Sequence, residues 1–266
     1  MAVFCWGTSD FIGGYVSRSA RAFLVTAVTN GSALLAISLA GLIAHAPFPA
    51  STGVLWALAA GASGGSALAI FYRALAAGKM GLTASVAAVL AAAIPAVFGI
   101  LTEGLPSGLQ IAGFALAGAG IWLVSRPDGE QRPTSLGWAA LAGVGFAGFF
   151  LCIKQAGNGS ALWIAACSRA SALACTAAMV LIGRTFRPAP RNALLWAALA
   201  GCLDVSGSTL FVRAVQLGRL DAAVMLTSLY PVVTVLLARL VLHERFTRWR
   251  TVGIFAALAA VPLIAM

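Results

Sequence analysis

Leu55-Trp56-Ala57-Leu58-Ala59-Ala60-Gly61 returns as Leu195-Trp196-Ala197-Ala198-Leu199-Ala200-Gly201, with the tryptophan and the glycine both displaced by 140 positions. Further along, FYRALAAGK (71–79) returns as FVRAVQLGR (211–219), so that Phe71, Arg73, Ala74 and Gly78 find Phe211, Arg213, Ala214 and Gly218 at the same offset of 140. Before the tryptophans, Pro47 and Pro49 of one loop match Pro188 and Pro190 of another at 141. After the arginines, Glu103 matches Glu244 at 141, and Gly113 matches Gly253 at 140. Apolar segments resemble one another by chance, but successive matches in register, through loops as well as apolar runs, indicate a duplication. The chain reads as a first repeat over 1–125, a connecting loop over 126–134 and a second repeat over 135–266.

Composition says what is repeated. Of 266 residues, 61% are hydrophobic and 9% charged, with a mean hydropathy of +0.97. Soluble domains carry about 25% charged residues, so a water-facing surface cannot be built from this chain. The net charge of +10 forms no basic helix or stripe, which excludes a nucleic-acid partner and places the chain in a lipid bilayer. A spanning helix needs roughly 20 apolar residues. Nine polar or Pro/Gly breaks separate ten such segments: 17–21, 45–52, 76–81, 102–108, 125–135, 154–160, 184–192, 218–221 and 243–250. None of the segments alternates with period two, which argues against a barrel. The expectation is an all-α polytopic membrane protein of ten transmembrane helices, five per repeat. Two copies with an odd number of spans insert in opposite orientations. Loop charges agree: 102–108 has no Lys or Arg where its counterpart has Arg245, Arg248 and Arg250, and 45–52 has none where its counterpart has Arg184, Arg187 and Arg191.

Ionisable residues deep in a span are costly unless paired or hydrated. Asp10, Arg169 and Asp204 fall near the middle of spans one, seven and eight, and their positions in the other repeat hold Phe150, Thr29 and Gly64. Scaffold duties should repeat, whereas solute-binding groups are free to break the symmetry. The three are therefore candidates for solute binding or coupling, with a buried pair that locks two spans together as the alternative. Trp6 and Tyr230 are candidates for lining the cavity. Arg73 and Arg213 are symmetry mates near span ends, suited to anchoring or gating, and Lys154 and Arg239 also lie where long side chains snorkel to the interface. Glu103 and Glu244, also at span ends, suit contacts to a neighbouring loop. Cys5, Cys152, Cys167, Cys175 and Cys202 lie in spans at no ligand spacing, so neither a metal nor a cofactor is expected. Gly61-Ala62-Ser63-Gly64 matches the string around an intramembrane serine nucleophile, but such an enzyme needs a base, and the two histidines, His45 in the preceding loop and His243 at the end of a span, do not lie deep in a later helix.

The order of motifs resembles EamA-type members of the drug/metabolite transporter superfamily. Cys5-Trp6-Gly7-Thr8-Ser9-Asp10-Phe11 is similar to the start of that family's first span, and Arg73 to Gly78 and Arg213 to Gly218 are similar to the ends of its third and eighth. Tyr230-Pro231, then Leu242-His243-Glu244-Arg245 and Gly253, resembles its proline, Gly-Glu-Arg and glycine signature. Two features depart from the pattern: Pro95 comes about one turn later than expected, with Ala91 opposite Pro231, and little chain precedes Trp6, so the first span reads as trimmed. The resemblance implies a multi-pass carrier that moves a small metabolite, commonly an amino acid or related compound and often outward, by alternating access; drug efflux is the other implied cargo. Proton coupling would run through Asp10 or Asp204. A non-transporting membrane scaffold and, last, a Ser63 protease are the competing readings. The Ala-rich, Arg-over-Lys composition suits a bacterial inner membrane. Counting basic residues, eleven in odd-numbered loops against Lys154 and Arg219 in even-numbered ones, puts both termini outside; the resemblance implies cytoplasmic termini.

Overall fold

The computed structural model describes residues 1–77, 80–124, 133–182, 189–242 and 247–265. Gly78, Lys79, most of the connecting loop, and the His243-Glu244-Arg245 stretch of the signature lie outside the described residues. Among the described residues all regular structure is helical: α1 Ala2–Val16, α2 Ala22–Ile43, α3 Ser51–Ala77, α4 Met80–Glu103, α5 Gly108–Val124, α6 Pro133–Gln155, α7 Ala161–Ile182, α8 Arg191–Leu217, α9 Leu220–Thr227, α10 Tyr230–Leu242 and α11 Arg248–Ala265. Seven segments are long and apolar enough to cross a membrane, with α9 and α10 counting together as one over Leu220–Leu242. The expected count was ten. The remaining three helices are short: α1 has 15 residues, α5 has 17 and α11 has 18, at or below the lower edge of the roughly 20 that span a bilayer upright.

Polarity is arranged for lipid. Leu35, Ile43, Leu55, Trp56, Leu101, Leu181, Ile182, Leu195 and Trp196 project outward, whereas Ser9, Asp10, Thr29, Asn30, Arg169 and Asp204 are buried. With no water outside to hydrate the backbone, each segment satisfies its own amides as helix, and attraction between helices comes from close packing and interhelical hydrogen bonds. Small residues make that packing close. A side chain at Gly61 would collide with the Ser168 carbonyl of α7, and one at Gly201 would collide with the Thr29 carbonyl of α2. Ser9 and Thr29 donate across helices to the carbonyls of Ala200 (2.8 Å) and Ala197 (3.2 Å) on α8. Ser63 donates to the Gly145 carbonyl of α6 at 2.7 Å, so this hydroxyl ties two helices together. The main packing pairs are α1 with α8 and α10, α2 with α7 and α8, α3 with α6 and α7, α4 with α6 and α9, and α5 with α11.

One break was not anticipated. The ninth span is interrupted at Ser228-Leu229, just before Pro231, between α9 and α10. Proline has no N–H for the carbonyl one turn back and crowds it, and the chain turns there through the Ser228 N–H to Val224 and the Leu229 N–H to Leu226. Pro95, by contrast, lies inside α4, which runs through it without interruption.

The even-numbered connections meet at one end of the bundle. The Trp163 indole N–H donates to the Ala46 carbonyl at 2.8 Å, and the Gln216 amide donates to the carbonyls of Gly157 (3.1 Å) and Gly159 (2.7 Å). Gly104, at φ +83°, ends α4 in the left-handed turn that glycine adopts without strain, and its carbonyl accepts from Arg219 at 2.7 Å.

Candidate functional site

Near the middle of the bundle is a cavity of about 50 Å³, lined by Trp6 and Asp10 of α1, Gly64, Gly65 and Leu68 of α3, Ala91 of α4, and Phe146, Phe149 and Phe150 of α6. Ser168, Arg169 and Ala172 of α7, Asp204 and Ser208 of α8, and Tyr230 of α10 complete the wall. The structure thus brings Trp6, Asp10, Arg169, Asp204 and Tyr230 to one place. It leaves Arg73 and Arg213 outside: Arg73 stands over the Trp138 ring, 5.1 Å from its centroid, and Arg213 reaches Gln216 at 3.5 Å. Glu244 lies outside the described residues.

Arg169 is the hub of the polar wall. Its Nη1 is 2.6 Å from Asp204 Oδ2 and donates to Asn30 Oδ1 at 3.2 Å, while its Nη2 donates to Ser208 Oγ. The Ser208 hydroxyl donates onward to the Asp204 carbonyl at 3.0 Å, the usual bond of a helical serine one turn back. The Trp6 indole N–H reaches both the Asp204 carbonyl (3.1 Å) and Ser208 Oγ (3.3 Å), which fixes the ring from α1 onto α8. Phe150 and Phe211 back that ring with centroids at 5.9 and 5.6 Å. The guanidinium of α7 is thus held from α2 and α8, and α1 joins through Trp6 on the α8 side. A charge pair buried this deeply holds only with good geometry and further hydrogen bonds, and Asn30 and Ser208 supply those. Neither was singled out in the sequence. Asn30 shows only as a lone amide within an apolar span, and Ser208 only as one more small residue.

Asp10 is different. It is 7% exposed and lines the cavity, yet among the described residues no hydrogen bond or ion pair reaches its carboxyl. Tyr230 is anchored weakly, its hydroxyl 3.5 Å from the Ala84 carbonyl.

The cavity walls also follow the offset of 140. Trp6 and Phe146, Asp10 and Phe150, Gly64 and Asp204, and Leu68 and Ser208 are each separated by that number, and both members of all four pairs line the cavity. Both members of the first pair are aromatic. In the other three, a polar residue is matched at the offset by an apolar residue or a glycine.

A second cluster closes the end where the even-numbered connections meet. Lys154 Nζ lies 2.5 Å from Glu103 Oε1, and Glu103 Oε2 accepts the Leu220 N–H at 3.2 Å, at the start of α9. Arg219 donates to the carbonyls of Glu103 (3.3 Å) and Gly104, and pairs with Asp221 at 2.7 Å. Hydrogen bonds that the guanidinium donates to the Asp221 carboxylate hold the Arg219 pKa above its ordinary value, so it keeps its charge at every physiological pH.

A model of the EamA-like transporter family matches residues 134–266. A comparison with curated proteins returns no match. Among solved structures, a chain described as "Crystal structure of protein" shares 15% identity with a TM-score of 0.75, covering 100% of this chain and 98% of that one, which establishes a common fold.

Proposed function

The chain belongs to the EamA-like transporter family, and on that footing we propose that it is a secondary carrier that exports a small metabolite, an amino acid or related compound, by alternating access between two inverted five-helix repeats. The repeats are residues 1–125 and 135–266, joined by 126–134, with α9 and α10 forming one broken span of ten. The observation that carries the reading is the cavity. It is walled by helices of both halves, and both members of four pairs of positions 140 apart line it. Packing supports the same exchange. Replacing α1, α2, α3, α4 and α5 by α6, α7, α8, α9–α10 and α11 turns the pairs α1–α8, α2–α8 and α4–α6 into α6–α3, α7–α3 and α9/α10–α1, all of which occur. Sites between inverted repeats, near the midplane and on broken helices, are a recurrent design of secondary carriers. The same cavity speaks against a non-transporting scaffold, whose interior has no reason to leave space beside a buried carboxyl.

Alternating access requires one end to close while the other opens. The Glu103–Lys154–Arg219 cluster ties α4 and its following loop to α6 and α9, so this conformation has the even-numbered end latched. Arg73 over Trp138 joins α3 to α6 near the opposite end. Basic residues collect at that opposite end, which puts it in the cytoplasm of a bacterial inner membrane. Proton coupling runs through Asp10 rather than Asp204, because Asp204 already has Arg169 as its counterion. The other titratable groups near Asp10 are Tyr72 from α3 and Tyr230 from α10.

The test is a metabolite-uptake screen in reconstituted vesicles with an imposed pH gradient. Gradient-driven accumulation of an amino acid or related compound, lost in Asp10→Asn, is expected; no flux of any solute in folded, oriented protein removes the carrier reading. Cysteines placed at Asp128 and at Ser107, labelled in intact and in permeabilised cells, decide orientation. Labelling at Asp128 without permeabilisation reverses the sidedness.

A further inference from the structure

The cavity wall contains three charges, and two of them cancel. Arg169 holds Asp204, with its remaining Nη hydrogen bonds going to Asn30 and Ser208. Asp10, 93% buried and facing the same cavity, has no partner among the described residues. A carboxylate in such surroundings is tolerated only with a proton or a cation on it. Around it stand Trp6, Phe146, Phe149, Phe150 and Tyr230, and aromatic rings attract a desolvated cation through their quadrupole.

We infer that the solute held in this cavity is a small organic monocation, a protonated or quaternary amine without a carboxylate, whose charge Asp10 matches and whose apolar body the aromatic wall receives. The inference rests on the carrier reading and narrows its cargo from amino acids and related compounds to their amine relatives. An anion finds no unbalanced positive charge, since the single guanidinium on the wall already faces the Asp204 carboxylate. A zwitterion would bring its carboxylate to a wall whose one cation is already balanced by Asp204. A neutral solute would leave Asp10 unmatched. The amine and a proton compete for one carboxylate, so export of one is exchanged for entry of the other. The groups that bear on this exchange from the surrounding helices are Asp204 of α8 with Arg169 of α7, Tyr72 of α3 and Tyr230 of α10.

Three probes with one benzene ring and different charge test the inference: phenethylamine, phenylalanine and 3-phenylpropionate. Binding is measured by calorimetry on the full chain in lipid nanodiscs, and flux of the same three in proteoliposomes. Phenethylamine should bind at least about tenfold tighter than either other probe. That preference should vanish in Asp10→Asn and persist in Asp10→Glu, which keeps the charge and serves as the reference if the asparagine variant folds poorly. Phenylalanine binding as tightly as phenethylamine, amine binding that survives Asp10→Asn, or no binding of the amine would each overturn the inference. Flux separates the two readings. Amine that binds but never crosses leaves the cation site standing and removes the carrier; phenylalanine that crosses without amine preference does the reverse.

Discussion

Helices α3 and α8 have 27 residues each and share a tryptophan near the start, a glycine at the close approach and a Phe-x-Arg-Ala near the end. Their glycines do the same work, Gly61 against the Ser168 carbonyl of α7 and Gly201 against the Thr29 carbonyl of α2. One turn further on they part. Toward the cavity α3 presents Gly64 and Leu68, and α8 presents Asp204 and Ser208 at the equivalent places. What holds helices together is kept in both copies, because both copies must pack. Of these two helices, only α8 brings polar side chains to the cavity wall. The comparison predicts which substitutions act equally in the two halves and which act in one alone.

The largest effect should come from the unshared side. Arg169→Leu leaves Asp204 buried with no counterion, and removing one partner of a buried pair costs about 3–5 kcal/mol. The corresponding change in the other half, Thr29→Leu, removes a single hydrogen bond to Ala197, worth about 0.5–1.5 kcal/mol. Thermal unfolding in detergent should rank the two accordingly. Equal losses would mean that the polar hub is no more than another helix contact.

Next comes the shared side. Gly61→Ala and Gly201→Ala each force a methyl group into a backbone carbonyl, and overpacking of this kind costs about 1–3 kcal/mol. The two variants should lower the midpoint by similar amounts. A large loss in one and none in the other would break the equivalence on which the two-repeat reading depends.

These contrasts also explain what the sequence could and could not reveal. Asp10, Arg169 and Asp204 stand out in apolar spans because each charge there demands an explanation, and their grouping around one cavity follows from the same cost. Phe149 and Phe150 do not stand out, since a phenylalanine in an apolar run looks the same whether it faces lipid or a cavity. Ser208 satisfies itself on its own helix and so leaves no trace of its bond to Arg169. The break at Ser228-Leu229 was hidden because proline alone is ambiguous: Pro231 follows a break and Pro95 does not. The ten segments are marked in the sequence by the breaks between them, whereas length and apolarity alone pick out seven and miss α1, α5 and α11. The pairing of Glu103 with Lys154 joins residues from different halves, a distance in sequence over which no periodicity operates.

The latch at the even-numbered end offers a smaller stability effect and a larger functional one. Lys154 and Glu103 are 33% and 18% exposed, and partly exposed pairs contribute about 0.2–1 kcal/mol. Glu103→Gln should therefore leave the unfolding midpoint nearly unchanged. It removes the carboxylate that holds Lys154, and the even-numbered end should open more often. A cysteine at Gly218, on the wall of the space beside the latch, should then react faster with a water-soluble thiol reagent than in the parent. No change in labelling rate would leave Glu103 as a helix-end contact and nothing more.

A further small effect belongs to the arginines that the two halves share. Arg73 and Arg213 occupy equivalent positions, but Arg73 sits over Trp138 whereas Arg213, among the described residues, has only a long contact to Gln216. A cation over an indole at an exposed site contributes about 0.5–1 kcal/mol. Arg73→Ala should lower stability by that much, and Trp138→Leu should reduce the further loss on changing Arg73, so that the double variant is less damaged than the two singles together. Arg213→Ala should be close to neutral. Because Trp138 belongs to α6 and Arg73 to α3, their contact links the two halves at the end opposite the latch. Loss of the contact should ease opening there and slow opening at the latched end, the reverse of Glu103→Gln. Labelling of the Gly218 cysteine measures that directly: Arg73→Ala should slow it, and faster labelling would mean that the two ends do not oppose each other.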